Sequence, residues 1–108
     1  MILALVLAAT ALVACTSRPS AAEVVDQSTP VICAKSKECA GDTVFAVAHP
    51  GGVDECVTKT KAEVKKQYGA DLDKDSVCTD DELDKCLTDF KAAACPAGSS
   101  LPKLPCNC

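Results

Sequence analysis

Apolar residues are spread unevenly along this chain of 108 residues. From Ile2 to Ala14 there is no charged residue, no glycine and no proline. A run of this length matches the roughly 7–15 apolar residues of a signal-peptide core and is too short for a helix that spans a bilayer. We therefore predict that residues 1–14 are a signal peptide, although no lysine or arginine precedes the apolar run.

Beyond the apolar run, the pattern of apolar and polar residues predicts two helices in the first half of the chain. A short helix is expected to begin at Thr29 and Pro30, because threonine can cap a helix and proline suits its first position, and to end at Gly41. A second helix is expected to begin at Asp54, which can act as its cap, and to run to about Tyr68.

The clearest helical pattern follows residues 79–82, which read Thr-Asp-Asp-Glu. This is a capping box, in which Thr79 and Glu82 satisfy each other's backbone N–H groups, and its acids lie where the helix dipole favours negative charge. The third helix is expected to end at the Cys95-Pro96 pair. Its apolar face comprises Leu83, Cys86, Leu87, Phe90 and Ala94.

The remaining segments do not read as regular structure. Residues 43–48 are rich in β-formers but have no second strand to pair with, so an extended or irregular connection is predicted. The tail from Gly98 to Cys108 contains two prolines and is predicted to lie non-helically across the bundle. We therefore expect an all-α, disulfide-stapled domain of three helices over residues 30–108, with an irregular C-terminal tail.

The high cysteine content changes the predicted basis of the fold from a large apolar core to disulfide bonds. The chain has nine cysteines but only one tyrosine, two phenylalanines and no tryptophan, so its core must be thin. Such a cysteine density is typical of oxidising compartments, and eight cysteines remain once Cys15 is set aside. We predict four disulfides, with Cys39 bonded to Cys56, Cys33 bonded to Cys86, and the tail joined to the two remaining cysteines. The eight are Cys33, Cys39, Cys56, Cys78, Cys86, Cys95, Cys106 and Cys108.

The ninth cysteine lies at the end of the apolar run. Residues 12–15, Leu-Val-Ala-Cys, resemble the bacterial lipobox, in which the cysteine is lipidated and becomes the first mature residue. We predict a palmitoyl-type lipid anchor on Cys15, a flexible tether over residues 15–29, and a location in the cell envelope. The residue after the cysteine is Thr16 rather than aspartate, which leaves the outer-membrane or cell-surface route open. The alternative is a soluble secreted effector cleaved after Ala22.

The order of landmarks resembles a group of small cysteine-rich lipoproteins of myxobacteria and their relatives, whose function is uncharacterised. The resemblance covers nearly the whole mature domain and implies a secreted helical scaffold with no activity to transfer. A lipid-binding cavity, as in other helical disulfide families, is left open. The matching landmarks are Cys33, Cys39, Cys56, Cys78, the segment Leu83-Asp84-Lys85-Cys86-Leu87, Cys95, and Leu104-Pro105-Cys106.

The acidic segment before the third helix carries the strongest chemical pattern. Counting Asp71 as position 1 of an EF-hand loop places carboxylates or a hydroxyl at positions 3, 5, 9 and 12. Ser76 occupies the position where glycine is needed, so we favour a plain acidic connection and keep a Ca²⁺-binding module as the alternative. The candidate ligands are Asp71, Asp73, Asp75, Thr79 and Glu82.

No set of residues in the sequence indicates an enzyme. His49 lies in a Pro-Gly turn, and Ser99 and Ser100 lack the strand-turn-helix context of a nucleophile. Cys106 and Cys108 are expected to form two structural disulfides rather than a metal or redox pair. A net charge of −4, with lysines interleaved among acids, disfavours nucleic-acid binding. We expect a structural or binding module with a membrane anchor and an unidentified protein or ligand partner.

Overall fold

A computed structural model of the chain describes residues 17–98 and 100–108. The predicted signal peptide (residues 1–14) and Cys15 lie outside the described residues. The described part contains no β-strand, so the all-α prediction is confirmed, but it has four α-helices rather than three. These are α1 (Ala21–Ala40), α2 (Asp42–Ala48), α3 (Val53–Tyr68) and α4 (Asp80–Ala92), with a 3₁₀ helix at Gly69–Asp73 between the last two.

Helix α1 begins much earlier than the sequence pattern predicted. Ser20 is its N-cap, and the Ser20 hydroxyl accepts a hydrogen bond from the backbone N–H of Glu23 at 3.2 Å. Pro30 lies inside the helix rather than at its start. An interior proline costs about 3 kcal/mol, but α1 is the central element and packs against every other helix. A flexible tether over residues 15–29 is therefore wrong from residue 21 onwards.

Residues 42–48 also differ from the prediction, because they form helix α2 instead of an irregular connection. Phe45 is buried there with Cys33 and Cys56, and two partly buried valines of α3 pack against this cluster. Burying the only aromatic ring of this segment outweighs the weak local preference of its β-branched residues. Gly41 and Gly52, with φ of 86° and 82°, provide the turns on either side of α2.

Helices α3 and α4 follow their sequence patterns closely. Helix α3 ends at Tyr68 as predicted, but its N-cap is Gly52 and not Asp54. Helix α4 begins with the predicted capping box, and both of its reciprocal hydrogen bonds are present. It ends at Ala92, so Ala94 lies beyond its apolar face. The buried residues of that face are Leu83, Cys86, Leu87 and Phe90.

All eight cysteines from Cys33 to Cys108 are joined in four disulfides, with Cα atoms 5.3–5.9 Å apart. The predicted Cys39–Cys56 and Cys33–Cys86 pairs, and the pairing of Cys95 with the tail, are wrong. Cys33 lies in the core beside Cys56, and the last turn of α1 lies beside the end of α4. The predicted link between the tail and Cys78 is present. The pairs are Cys33–Cys56, Cys39–Cys95, Cys78–Cys108 and Cys86–Cys106.

Lys35 joins α1 to α4 in an unusual way, since it is only 3% exposed. Its ammonium donates to the backbone carbonyl of Lys91 at 2.9 Å and to that of Ala93, and it forms an ion pair with Glu38 at 3.2 Å. These carbonyls belong to the last turn of α4, which has no further helical partners and carries the negative end of the dipole. A buried lysine thus caps the C-terminus of another helix.

Candidate functional site

An open groove of about 410 Å³ lies between the start of α1, the end of α3 and the 3₁₀ helix. Most of its surface is apolar, and three valines and one leucine form half of the lining residues. Such a lining is typical of sites for apolar ligands. The groove is lined by Ala21, Val24, Val25, Val64, Tyr68, Asp71, Leu72 and Cys108.

Helical spacing explains how the groove forms. Val64 and Tyr68 are four residues apart on α3 and therefore lie on the same face. They face the first turns of α1, while Leu72 is carried into place by the 3₁₀ helix that follows Gly69. Tyr68 is 52% exposed, so its ring lies at the edge of the groove. The sequence pattern predicts Val64 and Tyr68 within the second helix, but the groove itself depends on the early start of α1.

A second, more polar cavity of about 520 Å³ adjoins the groove at Leu72, which lines both. Its rim includes Asp26 and Lys61, which form an ion pair at 3.3 Å across α1 and α3. Lys65 and Asp73 also line it. An apolar floor next to a charged rim is complementary to an amphiphile, a molecule with an apolar body and a polar head.

The residues of the possible EF-hand loop are used in other interactions. Asp71 pairs with Lys74 at 3.0 Å, and Glu82 binds the Thr79 backbone N–H within the capping box. Asp75 forms an isolated β-bridge with Ser20. Within residues 17–98 and 100–108, no group of three or more His, Cys, Asp or Glu side chains is placed to hold a metal ion. The structure therefore does not assemble the predicted Ca²⁺ ligands.

Residues 17–20, which we call the entry segment, are a feature that the sequence pattern missed. They run antiparallel to residues 74–80 and are hydrogen-bonded to them. The Ser17 hydroxyl donates to the Asp80 carboxylate at 2.6 Å, and the carbonyl of Pro19, which is buried, accepts from the Ser76 N–H at 2.8 Å. The entry segment is thus part of the fold, although its composition is that of a flexible linker.

The turn between α2 and α3 is organised by Glu55. Its carboxylate accepts hydrogen bonds from Lys59 of α3 and from the backbone N–H of Gly51. These bonds, with the Lys59 bond as the larger cause, hold the pKa of Glu55 below its ordinary value. The Nδ1 atom of His49, in the same turn, is buried and has no hydrogen-bond partner within the described residues.

Taken together, these features define a small, all-α, disulfide-bonded protein of an oxidising, extracytoplasmic compartment. Among the helices that the structure describes, none is long and apolar enough to cross a membrane. The chain matches no protein-family model, no curated protein and no solved structure. Its function is therefore inferred from its own residues.

Proposed function

We propose that the protein is a bacterial envelope lipoprotein, anchored by a lipid on Cys15, that acts as a binding module. The lipobox-like residues 12–15 at the end of the apolar run carry this proposal. The disulfides add support, because the eight other cysteines bond to one another and none of the eight remains to form a disulfide with Cys15. The resemblance to small cysteine-rich lipoproteins of myxobacteria implies a lipid-anchored scaffold and adds no binding activity.

The entry segment favours lipidation over release by cleavage after Ala22. Cleavage there would remove the buried Pro19, the N-cap Ser20 and the first two residues of α1. Losing an N-cap residue alone costs about 0.5–2 kcal/mol. A mature chain that begins at Cys15 keeps all of these contacts, so processing at the lipobox fits the fold better.

The anchor is tested by comparing the natural protein with Cys15→Ser in a detergent phase separation. We expect the natural protein in the detergent phase, because the acyl chains on Cys15 would partition into detergent. The variant cannot receive these chains, of which several are needed for stable attachment, and is expected in the aqueous phase or unprocessed. The mass of the mature N-terminal peptide identifies the processing site. A natural protein found wholly in the aqueous phase, with a mature chain beginning at Glu23, would contradict the anchor.

We assign the binding role to the apolar groove between α1 and α3. The groove combines an apolar lining with the charged rim formed by Asp26, Lys61 and Lys65. A long-chain fatty acid or a similar amphiphile would place its chain against the valines and its head group near the lysines. An amphiphile is therefore the ligand class that this surface fits best.

A fluorescent fatty acid titrated into the oxidised, delipidated protein tests the groove. Val64→Phe would occupy the groove with a ring and is expected to abolish binding, whereas Val44→Phe, on the exposed face of α2, is the matched control. Thermal melting of both variants shows whether the fold is kept. Equal affinity in both variants, or no binding by the natural protein, would remove the groove as the ligand site.

A further inference from the structure

We propose that the edge formed by the entry segment and residues 75–80 is the surface that faces the bilayer, so that the domain is held directly against the membrane without a flexible spacer. This inference rests on the proposed lipid anchor at Cys15 and adds the orientation of the domain to it. The contacts of the entry segment carry it.

Chain length sets the first limit. Only Thr16 separates Cys15 from Ser17, and two extended residues span at most about 7 Å. Ser17 is fixed to Asp80 through its hydroxyl at 2.6 Å, and its carbonyl accepts the Asp80 N–H at 3.4 Å. A lipid on Cys15 therefore holds the start of α4 within about 10 Å of the interface, which is that span plus one hydrogen bond.

The entry segment is hydrogen-bonded along its length, so it cannot act as a flexible spacer without breaking these bonds. Beyond Ser17, the Arg18 guanidinium donates to the Val77 carbonyl, the Pro19 carbonyl accepts from Ser76, and the Ala21 N–H donates to the Lys74 carbonyl at 2.8 Å. Freeing this segment would break the hydrogen bonds and expose the buried Pro19. Each net hydrogen bond and the burial of apolar surface favour the attached state.

The chemistry of this edge suits a lipid head-group layer. Val77 is 70% exposed, and the neighbouring Arg18 has five N–H donors that can bind lipid phosphates. Asp75, Asp80 and Asp81 are exposed beside them. Arg18 and the neighbouring Lys74, which is paired with Asp71, are the cations here, and together with these carboxylates they fit a zwitterionic surface better than an anionic one, because an anionic surface would repel the acids.

The fold then places α2 at the opposite end of the molecule. Helix α1 starts at the entry segment and rises 1.5 Å per residue, so its 20 residues carry the chain about 30 Å from that segment to the start of α2. Val44 and Val47 of α2 are exposed at that end, Val47 to 81%. The membrane-facing edge and the α2 end are thus on opposite sides, and a reporter at each distinguishes the orientation.

The chain contains no tryptophan, so a single introduced tryptophan reports its own position. The lipidated full-length protein carrying Val77→Trp or Val47→Trp is reconstituted into phosphatidylcholine vesicles that contain a lipid with a nitroxide on its head group. We expect Val77→Trp to lose most of its emission and Val47→Trp to keep nearly all of it. The two positions are similarly exposed, so any affinity of tryptophan itself for the interface affects both.

Inserting about twelve Gly and Ser residues between Thr16 and Ser17, a spacer with an r.m.s. span of roughly 18 Å, is expected to restore most of the Val77→Trp emission. Vesicle flotation run on the same samples separates the two possible failures. Protein that floats with vesicles but shows equal quenching at both positions, or none at Val77→Trp, overturns the orientation and leaves the anchor intact. Protein that does not float overturns the anchor, and the orientation with it.

Discussion

At the scale of single residues, the buried Lys35 contributes more to the stability of the fold than a lysine usually does. Lysine is rarely fully buried unless its charge is paired, and here its ammonium has two backbone carbonyls and the Glu38 carboxylate as partners. The cost of removing the ammonium from water is offset by charge-assisted hydrogen bonds, which are stronger than neutral ones. The same group closes the end of α4 against α1.

Lys35→Met is therefore expected to destabilise the protein. Methionine keeps an unbranched stem of similar length but leaves the carbonyls of Lys91 and Ala93 without their donor, which costs about 1–3 kcal/mol for a buried acceptor. Urea unfolding of the oxidised protein measures this as a lower midpoint with an unchanged m-value. The matched control is Lys37→Met, an exposed lysine of the same helix, for which about 0.5 kcal/mol or less is expected. Equal losses in both variants would show that Lys35 has no special role.

Glu55 gives a second prediction, on pH. Its folded-state pKa lies below the ordinary value of 4.5 because Lys59 and the Gly51 N–H bind the carboxylate. A depressed acid pKa stabilises the fold above the unfolded-state value, and this contribution is lost as the pH falls through the folded-state pKa. We expect the melting temperature to fall in acid less steeply for Glu55→Gln than for the natural protein. Glu63→Gln, at an exposed position of the same helix, is the matched control for the loss of one carboxylate, and identical profiles for Glu55→Gln and the natural protein would contradict the prediction.

At the scale of the elements, the sequence predicted those whose signals are local. Helix α4 follows its capping box and apolar face, and α3 ends at the residue before Gly69, because these cues operate within a few residues of each helix end. The prediction for α1 overlooked a local signal, Ser20 followed three residues later by Glu23, and tertiary contacts then decide that α1 continues through Pro30 and that α2 forms. Pro30 is tolerated since α1 lies at the centre of the bundle, and Phe45 makes residues 42–48 helical by entering the core. The groove was missed because the predicted boundaries left six of its eight lining residues outside any helix.

The capping box also determines the prediction for Ca²⁺. Glu82, the residue that an EF-hand would use as its bidentate ligand, accepts the Thr79 N–H and hydroxyl at 3.2 and 3.0 Å. A cation would have to break these bonds and would compete with the ion pair of Asp71 and Lys74. We expect calorimetric titration with Ca²⁺ to show weak binding or none. Thr79→Ala should lower stability by about 1 kcal/mol through the lost cap. A micromolar Ca²⁺ site that disappears in Glu82→Ala would instead make calcium binding the leading function.

At the scale of the whole molecule, disulfides replace the core that aromatic residues would otherwise supply. The four bridges close sequence separations of 20 to 56 residues. In the chain-entropy model, each such loop contributes about 3–4 kcal/mol, while small domains are stable by only about 5–15 kcal/mol in total. Full reduction is therefore expected to unfold the protein, with loss of helical circular dichroism as the measurement. A reduced protein that keeps its helices would show that packing alone holds the fold.

Loop length and burial make opposite predictions about which of two disulfides, Cys39–Cys95 or Cys33–Cys56, contributes more to the free energy of unfolding. Cys39–Cys95 spans 56 residues and Cys33–Cys56 only 23, which favours the longer bridge by about 0.8 kcal/mol from the logarithmic loop term. However, Cys33 and Cys56 lie in the core with Phe45, and removing their two buried sulfur atoms leaves cavities that cost on the order of 2 kcal/mol. Burial should win. Urea unfolding of the double alanine variants is expected to show the larger loss for Cys33→Ala/Cys56→Ala, and the reverse order would mean that chain entropy governs this domain.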